Sequence, residues 1–489
     1  MNDIRPTHPV DLLAIAKQIM QENGFTPGFP PAVAQQLADL KAHPPLIAAG
    51  GKVRDLRSLV WSSIDNDTSR DLDQIEVAER QPSGEIKVLV GIADVDAYVP
   101  RNSAMDAYAA NQTATIYAGV HNFSMLPEEL STGLTSLLEN EDRASIVIEF
   151  VVGADGSVNS SDVYRAIVQN KAQLTYNAVG AWLEGSGAAP AKVAASPELQ
   201  AQLKLQDEVA QALKNARYRH GALNLESSEL QPVVVGDQVV DVVKEQKNRA
   251  TDLIEDFMIA ANGTVARLLE KVSSLRRIVK TPEHWDRIMQ LAAIHGETLP
   301  TQPDSKALND FLLKRKAADP ESFAALSLAV IKLIGAGQYI LERPGDPEVG
   351  HFGLAVQDYT HSTAPNRRFA DLVTQRLIKA LLAGQAPPYT DSELEAIAKN
   401  CTVREDAAQK VEREMAKRLA AVAMTKRIGD VFDAIVANAN SHGTFVRLLE
   451  PHVEGMLAQG AQGAKAGDRL RVKLIRTDVE RGFLDFARS

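Results

Sequence analysis

Ile64-Asp65-Asn66-Asp67-Thr68-Ser69-Arg70-Asp71-Leu72-Asp73-Gln74 crowds four aspartates into one short stretch of a chain that otherwise scatters its acids. Carboxylates this close repel and raise one another's pKa, so several stay ionised at neutral pH only if a divalent cation sits among them. The spacing also fits a calcium loop, because Asp65, Asp67, Ser69, Asp71, Asp73 and Glu76 fall on the ligand positions of an EF-hand. Two features argue against that. The sixth position, which needs glycine for its sharp turn, is Arg70, and the flanks Leu59-Val60-Trp61 and Ile75-Glu76-Val77-Ala78 have the composition of strands rather than helices. A solvated acidic turn is the bland alternative. Hard oxygen donors of this kind best suit magnesium, with manganese as the alternative.

A second segment, His351-Phe352-Gly353-Leu354 and then Tyr359 to Leu372, contains Ala364-Pro365-Asn366-Arg367-Arg368. Leu372, Leu377, Ile378 and Leu381 follow at helical intervals, so Arg367 and Arg368 stand at a helix start, where the dipole already favours anions. Bidentate guanidinium there reads as phosphate binding; pairing with surface acids is the plain alternative. Acids that hold a metal and arginines that hold a phosphate together describe phosphodiester hydrolysis by metal-activated water.

The acidic loop, the Gly91-Ile92-Ala93-Asp94-Val95 strand, Met125 to Ser131, Glu141-Asp142-Arg143, the Leu253 to Asn262 helix and the His351 to Leu372 block occur in an order that resembles the RNase II (RNB-domain) family of exoribonucleases. The resemblance spans roughly three quarters of the chain. It implies processive hydrolysis of single-stranded RNA from its 3′ end to nucleoside 5′-monophosphates. Asp65, Asp71 and Asp73 match family aspartates of the magnesium site, Asp73 being the one on which cleavage depends. Gln74 is a further candidate ligand. Arg367 matches the arginine that positions the scissile phosphate, Arg368 lies beside it as an RNA contact, and Glu412 aligns with an acid near the site. Tyr117 matches an aromatic that stacks on the 3′-terminal bases. Tyr176 matches a tyrosine implicated in preferring RNA over DNA, as do Glu255 or Asp256. Stacking suits a sequence-tolerant enzyme because every base has a π-face.

The expected fold class is α+β and multidomain. Residues 57–426 form the RNB catalytic domain. Residues 427–489 form an OB fold of the type named after ribosomal protein S-one, a five-stranded barrel in which Phe445 occupies a base-stacking position and His442 a neighbouring one. Residues 1–56 form a small helical module, with helices over Asp11 onward and Ala32 to Lys41, read as a helix-turn-helix or winged helix. Within the centre, Lys87 to Val99 and Ser145 to Val168 read as strands, the latter turned at Ala154-Asp155-Gly156-Ser157.

The chain has 489 residues and a formal net charge of -10, unusual for a nucleic-acid binder, though an enclosed basic channel tolerates an acidic exterior. Its one cysteine, Cys401, excludes a disulfide within the chain and fits a reducing cytoplasm. No apolar signal core opens the sequence and no long apolar run follows, so a soluble, monomeric protein with an RNA partner and no membrane is expected. Two other classes compete: an RNB relative that binds RNA without turnover, favoured only by Gln74, and a DNA-binding regulator, for which Ala32 to Lys41 offers only Lys41 as a base.

Two departures from the family pattern stand out. Ala364 and Asn366 replace serine and isoleucine and read as local repacking. The acidic motif closes on Gln74 where relatives carry a second consecutive aspartate. A neutral amide oxygen still touches a hard cation but gives up one charge, and Asp67 supplies part of it. Metal affinity weaker than in relatives, with activity retained, is therefore expected. A metal titration comparing wild type with Gln74→Ala checks this: micromolar binding that the substitution leaves unchanged removes Gln74 from the site.

Overall fold

The computed structural model describes residues 10–46, 51–226, 230–235, 238–244, 247–347 and 349–489; the polar start of the chain lies outside them. Seven strands make the main sheet: β1 (Val53–Asp55), β2 (Ser62–Asp65), β3 (Gln74–Arg80), β4 (Ile86–Ala93), β7 (Asp142–Val152), β8 (Val158–Gln169) and β9 (Ala172–Thr175). Their order is β1-β8-β7-β4-β3-β2-β9, and between β4 and β7 a separate hairpin of β5 (Ile116–Tyr117) and β6 (Asn122–Phe123) leaves the sheet. The acidic loop thus joins two strands, as its flanks predict and as an EF-hand does not allow.

Register decides what each face carries. Gln74 pairs with Ile92 and Ile92 with Ile146; Glu76 pairs with Val90 and Val90 with Ile148; Ala78 pairs with Val88 and Val88 with Phe150. Residues directly opposite share a face, so one side of the sheet is largely a block of β-branched and aromatic side chains, with Gln74 and Glu76 buried at its β3 edge. The long β7–β8 pair turns at Gly156, where φ is +80° and an added Cβ would stand 2.1 Å from the Ala212 carbonyl oxygen. Only glycine fits there.

Helices cover the sheet and extend from it: α1 (Leu12–Glu22), α2 (Pro31–Ala42), α3 (Ala104–Gln112), α4 (Tyr176–Leu183), the short α5 (Ala191–Ala194), α6 (Pro197–Arg219), α7 (Arg249–Leu268), α8 (Trp285–Ile294), α9 (Ser305–Ala318), α10 (Pro320–Ile334), α11 (Phe369–Ala383) and α12 (Asp391–Met424). Capping boxes start α7 at Asn248 with Thr251 and α12 at Thr390 with Glu393. Phe257 of α7 meets Phe150 edge-on, with centroids 6.4 Å apart, which seats that helix on the apolar face. Two two-stranded sheets lie off the main one: the hairpin of β10 (Leu230–Val235) and β11 (Gln238–Lys244), and β12 (Ser274–Ile278) paired with β13 (Gln338–Glu342) across the three helices α8 to α10.

The C-terminal strands β14 (Val431–Asn440), β15 (Gly443–Leu448), β16 (Glu454–Gln459), β17 (Arg469–Asp478) and β18 (Phe483–Arg488) close into a barrel in the order β14-β15-β16-β18-β17. Val436, Val446, Leu448, Val472, Leu474 and Phe486 fill it, and Ala420, Ala421 and Met424 from the end of α12 join this core. No helix among the described residues is long and apolar enough to cross a membrane.

At the front the two helices do not share a core. Ala16, Ile19 and Met20 of α1, with Phe25, pack against Ile116, Ala118 and Phe123 of the hairpin and Ala408, Val411 and Met415 of α12. Val33 of α2 belongs instead to the main core, and α2 lies on α3. A helix-turn-helix needs its helices packed on one another; here each is packed against the main body. β1, placed with the front module on sequence grounds, pairs with β8 and is part of the main sheet. Deleting residues 1–42 bares Ile116, Phe123 and Val411 to water, so thermal unfolding is expected at least about 5 °C lower. A self-contained module would leave the melting temperature where it was.

Candidate active site

Asp65 ends β2, and its Oδ1 accepts the Asn66 N–H at 2.7 Å and the Ser69 hydroxyl at 2.9 Å, which folds the loop back on itself. Buried Leu72 then pins the loop: its N–H donates to Ser136 Oγ at 3.0 Å and its carbonyl accepts the Leu137 N–H at 3.0 Å. Asp71 and Asp73 flank this anchor, Asp71 half-buried and Asp73 only 1% exposed. β9 runs parallel to β2 with Asp65 opposite Thr175, which delivers Tyr176, half-buried at the start of α4, beside the loop.

The second half arrives from almost three hundred residues downstream. The Asn366 N–H donates to Asp73 Oδ1 at 3.0 Å, and Thr135 Oγ1 holds the Asn366 side-chain oxygen at 2.6 Å. Arg367 Nε lies 3.4 Å from Asp73 Oδ2, an oxygen that has no hydrogen bond although it is buried. Asn366, which sequence reasoning took for local repacking, is the residue whose backbone fixes Asp73; nothing in a single sequence signals a backbone N–H at that range.

Why the two arginines diverge is plain from their partners. Asp371, in the first turn of α11, accepts Arg368 Nε and Nη2 at 2.8 and 2.7 Å and also the Ala364 N–H at 2.8 Å. Arg368 therefore braces the loop through a buried carboxylate, in place of the expected RNA contact. Arg367 keeps a 44% exposed side chain directed at Asp73 and the Tyr117 hydroxyl. Tyr117 itself is 43% exposed. Its N–H donates to Glu412 Oε1 at 2.9 Å, and two residues earlier the Thr115 N–H donates to the Arg367 carbonyl at 3.0 Å. Glu412 is thus a backbone anchor for the hairpin that carries Tyr117.

Of the remaining candidates, Gln74 opens β3 and is buried. Glu255 is 40% exposed on α7 and pairs with Lys247 at 2.5 Å. Asp256, one residue on, points inward and is the buried counter-ion of Arg217, so it is not an RNA contact; burial pushes its carboxyl up to about 6 despite that guanidinium. Phe445 sits half-buried on the barrel opposite Met456.

Burial dominates the electrostatics. It pushes Asp73 up to about 7, with Arg367 opposing and Asp71 adding to the rise. It also raises Asp71, again against Arg367 and with Asp65 contributing. Arg367 is held firmly charged, because Tyr117, Asp73 and Asp65 outweigh its own burial. Among the described residues no three acids converge into a ready-made metal cage. The donor set nevertheless fits a hard divalent ion: the loop offers only oxygen ligands, and Asp73 Oδ2 is a buried acceptor with no hydrogen bond.

The RNB domain family model matches residues 53–384, and the C-terminal S1 domain of RNase II-type exonucleases matches residues 430–489. The chain belongs to the RNB family. It is 30% identical over 467 residues to Ribonuclease R of Thermotoga maritima, covering 88% of this chain and 64% of that protein. Against Ribonuclease R of Escherichia coli the identity is 30% over 499 residues, covering 94% of this chain and 60% of the other. The chain thus spans rather less than two thirds of the length of these RNB relatives. Among solved structures, Mycoplasma genitalium RNase R in complex with ribose-methylated single-stranded RNA superposes with a TM-score of 0.86 at 25% identity, covering 98% of this chain and 78% of that one. Yeast Ssd1, a pseudonuclease, shares the RNB fold at a TM-score of 0.72 and 16% identity, over 96% of this chain and 58% of that one.

The raised Asp73 pKa has a consequence for stability in metal-free protein. Because the folded value of about 7 lies above the ordinary 3.8, the stability linked to this proton is fully present below about pH 3.8 and is lost as pH rises through about 7. Asp73→Asn should therefore stabilise the chelator-treated protein by on the order of 4 kcal/mol at pH 8 and by less than about 1 kcal/mol near pH 4. Urea unfolding of both proteins at the two pH values measures it.

Proposed function

We propose that this chain is a hydrolytic, divalent-metal-dependent exoribonuclease that shortens single-stranded RNA from its 3′ end, processively, releasing nucleoside 5′-monophosphates. The observation that carries the reading is the meeting of Asp73, Arg367 and Tyr117 at one point. A buried carboxylate with a spare oxygen, a charged guanidinium and an exposed aromatic ring are what a terminal phosphodiester and its base require. Ribonuclease R, the name carried by relatives at 30% identity, supports it.

In this reading Asp65, Asp71 and Asp73, with Gln74 at their edge, hold magnesium, manganese being the alternative. When bound, the ion supplies Lewis-acid chemistry at the phosphodiester. The protein's own part is separate. Arg367 binds the scissile phosphate, its direction set by the Asp73 contact and by Tyr117. Tyr117 stacks on the last bases, and Glu412 keeps its hairpin in place. Tyr176, beside the acidic loop, meets a ribose or base further back, with Glu255 beyond it. Phe445 on the barrel guides incoming strand. Arg368 and Asp256 serve as internal braces. We place catalysis in the body that runs from β1 through α12 and RNA capture in residues 427–489, with α1 and α2 as the front segment, and infer a cytoplasmic monomer.

A binding-only protein is the second reading, since a pseudonuclease shares the fold and Gln74 breaks the acid pair. It predicts RNA binding without turnover. The two separate on a 5′-labelled single-stranded RNA incubated with magnesium or manganese. Wild type should yield a ladder shortening from the 3′ end, and Asp73→Asn should bind equally well yet cleave about a thousandfold more slowly or worse. An intact substrate with wild type sinks the enzyme reading; internal cuts redirect it to an endonuclease.

A further inference from the structure

The Leu253 to Asn262 stretch of α7 ends on a side chain that the site described so far does not use. Asn262 is 2% exposed, and its amide is spent entirely on residues 359–363. Oδ1 accepts the Ser362 N–H at 2.9 Å and the Ser362 hydroxyl at 2.8 Å. Nδ2 donates to the Tyr359 hydroxyl at 3.3 Å and to Thr363 Oγ1 at 3.5 Å. A backbone N–H can only donate, so Ser362 fixes which end of the amide faces it. Two acceptor and two donor positions are therefore all filled by one short segment, a saturation that seating a helix on a loop does not need.

That segment runs straight into the catalytic loop. Its first residues are tied to β12: the Tyr359 carbonyl accepts the Arg277 N–H at 2.9 Å, and Thr360 Oγ1 donates to the Leu275 carbonyl at 2.8 Å. Among the described residues, the one side chain that Ser362 and Thr363 bond is that of Asn262. Past them the Ala364 N–H meets Asp371 at 2.8 Å, and the Ala364 carbonyl accepts the N–H groups of Arg367 and Arg368 at 3.2 and 3.0 Å. Only Ala364 and Pro365 thus separate the residues that Asn262 grips from Asn366 and Arg367. On the hairpin side the Arg367 carbonyl is held by Thr115; Asn262 supplies the tie on the α7 side, and the turn is clamped between the two.

We propose that Asn262 is a positioning residue of the active site: it fixes residues 362 and 363 and, through the Ala364 turn, the place from which Arg367 presents its guanidinium to the scissile phosphate. This role rests on the exoribonuclease reading of the site. The amide touches no reacting atom, so its effect falls on the rate of cleavage, because a phosphate held off line loses contact in the transition state. RNA affinity is carried elsewhere, by Tyr117, Tyr176 and the barrel. The bland alternative is a buried asparagine that satisfies a loop and contributes stability alone.

Single-turnover cleavage of a 5′-labelled single-stranded RNA by the full chain with magnesium, beside binding of the same RNA in chelator, tests it. Asn262→Leu keeps the branched shape and removes all four hydrogen bonds. It should slow cleavage at saturating RNA at least about tenfold and leave RNA affinity within about threefold. In an Arg367→Ala background the same substitution should slow the residual cleavage by less than about threefold, because the group it positions is already gone. An equal loss in both backgrounds, or a single variant within about threefold of the wild-type rate, makes Asn262 a stability residue and overturns the proposal. Intact RNA with wild type sinks the exoribonuclease reading instead. Should Asn262→Leu not fold, Ser362→Ala decides, since it deletes one bond to the amide: slower cleavage at unchanged RNA affinity, absent in the Arg367→Ala background, supports positioning, and an unchanged rate overturns it.

Discussion

The hydrogen bond from the Asn366 N–H to Asp73 Oδ1 is the joint on which the site depends. Asp73 is removed from water beside other acids, a placement that burial alone makes costly. One carboxylate oxygen is held by a backbone donor, and the other is left facing Arg367. A side-chain donor in that role would bring its own flexibility. A peptide N–H, fixed by Thr135 behind it and by the first turn of α11 after it, does not. Everything downstream follows from that constraint, including the separate fates of two adjacent arginines, because one must brace the turn for the other to face outward.

Much of this was legible in the chain. The acidic loop declared itself through spacing alone, and its strand flanks ruled out a helix–loop–helix. The turn at Gly156, the strands on either side of it and the C-terminal strands followed from alternation and turn residues, and the closure of those last strands into a barrel from the family resemblance. What stayed hidden depends on partners far away in sequence. Arg367 and Arg368 look alike until Asp371 takes one of them. Glu255 and Asp256 differ by about 100° around a helix, and only the presence of Arg217 on α6 shows which of them turns inward. The front helices looked like a module because local pattern gives each an apolar stripe; it does not say that the two stripes face different neighbours.

The RNB fold by itself does not guarantee chemistry, since a pseudonuclease shares it. The case for catalysis lies in side chains that no packing requirement explains. A buried Asp73 oxygen with no hydrogen bond is unfavourable in an inert protein, and it stands beside a half-exposed arginine and a half-exposed tyrosine. Together they describe a protein that tolerates local cost to hold a reactive arrangement.

The short hairpin bearing Tyr117 is wedged between α1 and α12, the longest helix among the described residues, with Ile116 and Ala118 on either side of the tyrosine buried against both. The backbone that carries the half-exposed ring is therefore fixed by a seam nearly four hundred residues wide in sequence. Ile19, Met20 and Val411, which touch neither Arg367 nor the acidic loop, therefore help to set where Tyr117 stands, and a change of volume at those positions is a change in the tyrosine's position.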